Sequence, residues 1–416
     1  MRTDPEGHDL GSTSSGAKLK RPPSPFSRLV VAHSLAVAGD TLVTTALAGS
    51  LFFNISPTAA RGRVALSLVL TIAPFALVAP FLGPAIDRLR GGRRLMVFIA
   101  SAGRAVAAWL MAGVLDGLLL FPVTFTLLVL SKTHSVAKSS LVPTVVRSPD
   151  ALVRANSKLA LVSALTGLAA AAPAVAVLKL AGPEWVVRLA AVVFVAAAVL
   201  SLRIKQVRLD DPEARSLARQ ELHEAGIRLA ATAMGVLRGS VGFLTFLIAF
   251  TLRRDGAPAW KFGAALAASM GATVLGAALA PRLRRRVAEE HLLTGSMGLV
   301  VVSGIAAWQV GGFVGDLILA AAIGAAASAG KLAFDSLVQR DAPDATQGRS
   351  FARYEALFQL AWVAGALVPV VTAVPRRLGY ALLIVAASAS MVAYLLGLRR
   401  AHRGSEERAE DSADTP

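Results

Sequence analysis

The chain has 416 residues, 55% of them hydrophobic, with a net charge of +17 and a mean hydropathy of +0.61, where soluble domains hold about 45–50% apolar residues. A soluble protein is excluded, because water would require a dozen fully buried helices with almost no polar surface. Without a single cysteine there is no disulfide, thiolate nucleophile or thiolate metal site, and the basic residues lie beside apolar runs rather than in any nucleic-acid-binding motif.

Residues 1–28 are polar, with Gly and Ser followed by KLKRPP. They lack the apolar core of a signal peptide, so they are read as a disordered cytoplasmic tail and the first long helix as the insertion signal. Apolar runs of membrane-spanning length then recur. Spans are expected at 29–54, 64–86, 94–114, 122–146, 156–181 and 184–204, an N-terminal bundle over 29–204. A charged cytoplasmic loop follows at 205–227. The second bundle, 228–398, holds spans at 228–252, 261–281, 291–311, 314–338, 355–374 and 378–398, and 399–416 is read as a disordered cytoplasmic tail. Backbone groups in lipid must bond within each segment, so the spans are helices. The expected class is an all-α integral membrane protein of twelve transmembrane helices in two six-helix bundles.

Charge bias sets the orientation. Of the 43 Lys and Arg, 29 fall in or beside the loops that are cytoplasmic when the N-terminus is inside, and 8 beside the others. That asymmetry places both termini in the cytoplasm of a multi-pass protein of the cytoplasmic membrane. The halves also repeat. Lys138 precedes Pro149-Asp150-Ala151 much as Lys331 precedes Pro343-Asp344-Ala345, and Arg93-Arg94 after the second span match Arg282 to Arg286 after the eighth. Two repeats joined by a charged loop are a transporter signature.

The loop GPAIDRLRGGRRL holds Gly83, Asp87, Arg88, Gly91, Arg93 and Arg94. This loop, with LVPTVVRSPDALVRANS and DSLVQRDAPDATQGRSFARYEALFQLAWVAGALVP, resembles the major facilitator superfamily, in the drug-exporter-like branch that includes siderophore and multidrug efflux proteins. The resemblance covers 29–398. It implies a monomeric, proton-coupled exporter of a small organic molecule, with no cofactor, in contact with membrane lipids. It also implies that the six loop residues form a conformational latch, against the simpler reading of a positive-inside anchor. One departure stands out. The Gly-rich segment that antiporters of the superfamily often carry in the fifth helix is here Gly167 followed by AAAAPAVAV around Pro173.

Charges inside a bilayer are costly and need a partner or a watery cavity. Asp40 is the one deeply placed acid of the first half, and it is the candidate for the coupling proton; the alternative is a permanent ion pair. Arg104, Lys132 and Arg238 lie mid-span. In the superfamily, helices 1, 4, 7 and 10 line the central cavity, which puts Asp40, Lys132 and Arg238 there, while Arg104 reaches inward or braces Asp40. A net-positive cavity favours an acidic substrate, unless His134 or a backbone carbonyl simply satisfies Lys132. Lys331 and Asp335, four apart, are read as a structural pair. His33 and His134 lack ligand spacing, so no metal is expected. Trp109, Trp185, Trp260, Trp308 and Trp362 suit interfacial anchoring, and no nucleotide cradle is present. Import or uniport of an anionic solute, or a non-transporting receptor on the same fold, are the alternatives.

Overall fold

The computed structural model of the protein describes residues 24–51, 92–115, 117, 119–146, 151–204, 217–341 and 347–413. These form eleven long helices: α1 (Pro25–Leu51), α2 (Gly92–Met111), α3 (Leu120–Leu141), α4 (Leu152–Ala181), α5 (Pro183–Leu202), α6 (Leu217–Arg254), α7 (Ala259–Arg284), α8 (Glu289–Val310), α9 (Gly312–Asp341), α10 (Gln347–Val371) and α11 (Arg376–Ala413). There is no strand among the described residues. The expected second span, 64–86, lies outside them, so eleven of the twelve expected helices are in view. Ten are long and apolar enough to cross a membrane. Helix α3 is not among the ten; its second half carries Lys132, His134 and Lys138 among serines.

Three helix ends lie eight or more residues from expectation. Helix α6 begins at Leu217, inside the expected central loop, and α10 begins at Gln347, eight residues before the expected span. Helix α11 continues to Ala413, so most of the tail read as disordered is helical. These segments are rich in Ala, Arg, Leu and Glu, which favour helix whether or not lipid surrounds them. A hydropathy boundary marks where lipid begins, not where helix does.

The packing repeats. In the first half α1 packs on α4 and α5, and α2 packs on α3 and α5; in the second, α6 packs on α10 and α11, and α8 packs on α9 and α11. A shift of six spans maps one set onto the other. Within each half, glycines allow backbones to touch, as small residues do in membrane helix pairs. A Cβ at Gly242 would strike the Trp362 carbonyl, and one at Gly365 the Gly239 carbonyl, so α6 and α10 meet backbone to backbone. Gly182 takes a left-handed φ of 88°, ending α4 one residue before Pro183 starts α5, a common stop-start pairing.

The surface is inverted relative to a soluble protein. Leu168 and Leu180 are exposed on α4, and Val371 and Val385 on α10 and α11, while Arg104, His134, Asn156, Asp316 and Gln339 are buried.

The halves meet at the end that carries the basic loops. There α4 packs on α7 and α9, and α3 packs on α10. Val153, Ala277, Ala280, Leu292, Leu332 and Ala333 form the apolar part of this seal. Asn156 donates to Gln339 Oε1 at 2.7 Å, Gln339 donates to the Ser139 carbonyl at 2.9 Å, and Ser157 donates to the Ala277 carbonyl.

Replacing Gly365 with valine should separate α6 from α10 and cost about 1–3 kcal/mol, the usual penalty of overpacking. Thermal unfolding of the protein in detergent reads the loss, and an unchanged midpoint would mean that the helices do not touch there.

Candidate transport site

The first cluster sits on α1 midway along the bundle. Arg104 Nη1 of α2 donates to both carboxylate oxygens of Asp40 at 3.0 Å, and Ser131 of α3 donates to Oδ2 at 3.2 Å. Arg104 Nε donates to the Ala100 carbonyl one turn back. The guanidinium lies 4.7 Å from the centre of the Phe194 ring, a cation–π contact. That ring fits because residue 39 is glycine: a Cβ there would stand 2.5 Å from it. Arg104 is fully buried, whereas the Asp40 side chain is 40% exposed. Asp40 borders an open cavity of about 410 Å³, lined among the described residues by Val37, Thr41, Thr44 and Thr45 of the same helix. The threonine hydroxyls bond back to carbonyls one turn earlier, a common arrangement for Thr within a helix. Arg104 thus braces Asp40 rather than reaching elsewhere.

The second cluster bridges the halves. Lys331 of α9 bonds Asp335 and lies 3.6 Å from Glu355 of α10. Lys132 and Lys138 of α3 and Arg238 of α6 lie within electrostatic reach of Glu355. By formal charge, four basic side chains face two carboxylates. Asp40 also acts on Lys132, which links the two clusters.

Glu355 was missed in the sequence. It stands at the first position of the expected eleventh span, where it reads as a loop acid, but α10 starts eight residues earlier and carries it more than two turns into the helix. Another omission is Asp316, fully buried, which accepts from Tyr380 Oη at 2.6 Å and lies 3.3 Å from Arg376. Arg376 also bonds Asp255, so α6, α9 and α11 are tied at one end.

Of the expected latch, Gly83, Asp87, Arg88 and Gly91 lie outside the described residues. Arg93 and Arg94 occupy the first turn of α2, and Arg94 donates to the Ile204 carbonyl at 3.4 Å beyond α5. In the second half the matching loop, between α7 and α8, is among the described residues: Arg284 pairs with Glu289, and Arg340 pairs with Glu289, Glu290 and Asp341. Among the tryptophans, Trp109, Trp185, Trp260 and Trp308 are exposed, while Trp362 packs edge-on against Phe246 in the α6–α10 contact. No group of three or more potential metal ligands occurs among the described residues.

A repeated helical bundle with its charges gathered between the halves is the build of a membrane transporter. Residues 29–366 match the Major Facilitator Superfamily, and the chain belongs to that family: it is a transporter and not an enzyme. A bacterial homologue of the iron transporter ferroportin, solved in an outward-facing state, superposes with a TM-score of 0.68 at 18% identity, covering 91% of this chain and 99% of that one. The transporter FucP in its outward conformation gives 0.66 at 15% identity, covering 91% and 98%. The human organic anion transporter MFSD10 gives 0.67 at 15%, covering 90% and 99%. At these identities the likeness shows the fold. In sequence, an uncharacterized Mycobacterium leprae protein is 28% identical over 403 residues, covering 86% of this chain and 69% of its own length. A Mycobacterium tuberculosis protein is 38% identical over 137 residues, 31% of this chain and 24% of that protein.

The asymmetric burial of the first cluster predicts asymmetric mutants. Asp40→Ala strands a buried guanidinium and should cost about 3 kcal/mol, the low end for a broken buried pair, because solvent screens the carboxylate side. Arg104→Gln leaves a carboxylate that still has Ser131 and the cavity, and should cost less. Paired unfolding midpoints of the two variants decide it, and equal losses would contradict the burial pattern.

Proposed function

We propose that the protein is a secondary active transporter of the cytoplasmic membrane that exports a small organic molecule carrying an acidic group, driven by protons. The observation that supports this most directly is the cluster of Lys132, Lys138, Arg238 and Lys331 around Glu355 and Asp335, built from both halves. A net-positive site between rocking bundles attracts an anion and feels the rearrangement of the bundles. Export and the exporter branch rest on the resemblance of the loops. Import or uniport of an anionic solute uses the same cluster and is the second reading.

In this reading the basic-loop end is cytoplasmic, so the structure is sealed inside and Asp40 looks outward. Asp40 is the candidate proton carrier. Arg104 holds both of its oxygens, and a neutral acid in that place would leave the fully buried guanidinium without its counterion. Proton uptake therefore requires the pair to open, and that ties protonation to conformation. Lys331 and Asp335, expected as a structural pair, are in this reading also part of the anion-attracting cluster, and the Gly83 to Arg94 loop acts as the latch of the first half.

Two experiments test this. In everted vesicles with an inward proton gradient and a pH-sensitive dye, acidic solutes should cause dequenching and cationic ones should not. Asp40→Asn should lose uphill transport yet keep solute exchange, and Glu355→Gln should slow transport about tenfold, equivalent to ~1.4 kcal/mol. Dequenching by cations instead would overturn the substrate class. Separately, the absence of native cysteine allows Asn156→Cys with Gln339→Cys on a clean background. A short bifunctional thiol reagent should cross-link them and stop transport, with recovery if the linker is cleavable. Full activity after complete cross-linking would rule out alternating access at this seal.

A further inference from the structure

Two histidines 101 residues apart in sequence meet inside the first half. His33 of α1 and His134 of α3 are 7% and 4% exposed. His33 Nδ1 lies 3.5 Å from His134 Nε2. The ring planes differ by 12° and the centroids are 5.8 Å apart. That separation exceeds the N···N distance by about two ring radii, so the rings lie edge to edge in one plane with the two nitrogens pointing at each other.

The hydrogen-bond network constrains the protons. The single hydroxyl proton of Ser163 of α4 reaches the Leu159 carbonyl at 2.8 Å or His33 Nε2, also at 2.8 Å; when it goes to the carbonyl, Ser163 accepts from His33 Nε2–H. A neutral His33 then has a bare Nδ1, which accepts from His134 Nε2–H. This leaves His134 Nδ1 bare, and it is buried with no hydrogen-bond partner among the described residues. A buried nitrogen without a hydrogen-bond partner is costly, and in this tautomer it is the ring nitrogen left free to take a further proton. A metal ion between the rings does not fit, since two bonds of about 2.0–2.1 Å in line need roughly 4 Å between the nitrogens.

We propose that His33 and His134 form a proton-holding site that takes up one proton between them. It enters at His134 Nδ1, and the Nε2–H proton is then shared with His33 Nδ1, while His33 Nε2–H stays bonded to Ser163. No other bond changes, and the proton leaves by the same route. The charged groups acting on the rings are Arg104 from α2 and Lys138 from α3. Asp40, seven residues along α1, is occupied by Arg104, and α4 contributes the Ser163 hydroxyl. Both charges are positive and oppose the added proton. A rearrangement of the bundles that shifts those cations, or pairs them with an anion, strengthens proton binding. His33 lies about 10 Å from Asp40 along α1, toward the sealed end, where a proton taken at the cavity has to be released. The site's part in coupling rests on the proton-driven reading above; proton binding itself does not.

The test is a titration of ¹⁵N-histidine-labelled protein in lipid nanodiscs from about pH 5 to 8, the range in which imidazoles change charge. The full chain is used, and His33→Gln and His134→Gln assign the signals. The two rings should shift together and bind one proton in total, with the remaining ring moving to a different midpoint in either variant. Two independent single-ring titrations, or no titration of either ring, would overturn the site. In vesicles, either variant should lower uphill transport by roughly tenfold or more while preserving exchange. If the rings share a proton but wild-type vesicles move none, the proton-driven reading fails and the site stands. If Asp40 controls proton movement but the rings never share one, the site alone fails.

Discussion

A guanidinium taken out of water must bring its counterion with it, and around Arg104 that requirement organises the first half of the molecule. The fully buried charge demands Asp40, and Asp40 fixes α1 against α2. Phe194 supplies a ring face for the guanidinium, and the lack of a side chain at Gly39 makes room for the ring. Ser131 brings in α3. Four helices are thus positioned by one charge whose desolvation is affordable only in company. The carboxylate is open on one side while the guanidinium is wholly buried.

The molecule uses two kinds of contact, and the difference bears on how it can move. Within a half, glycines bring backbones together at Gly242 and Gly365, and such contacts tolerate no sliding. Between the halves the seal is built of alanines, valine, leucines and a short run of amide hydrogen bonds from Asn156 and Gln339. Amides separated from one another can bond water, so the seal can part without leaving groups stranded. Close-packed halves joined by a separable seam are what rigid-body rocking needs.

The second cluster extends the logic of the first. Lys331, Asp335 and Glu355 satisfy one another from the second half, while Lys132 and Lys138 arrive from the first. Their mutual distances must change whenever the halves move, and so must the free energy of an anion or a proton placed among them. In the proposed cycle, charges shared across a moving seam would sense the movement as well as bind.

Composition and the spacing of apolar runs determined the membrane class, helix as the only element and the two-fold repeat, because each follows from local hydropathy and from the need to bond every backbone group within lipid. The loop motif carried the family. Asp40, Arg104, Lys132 and Arg238 were legible too, since a charge among twenty apolar residues stands out by itself. Hydropathy could not show Glu355, whose helix begins outside the apolar run, or Asp316, which lies in the first turns of its helix. Nor could it show that Arg104 chooses Asp40, that Asn156 meets Gln339 across 183 residues, or that two histidines without ligand spacing share one line of nitrogens. Periodicity places a residue on its own helix; which neighbour it faces depends on how separate helices pack, and only the tertiary structure decided that.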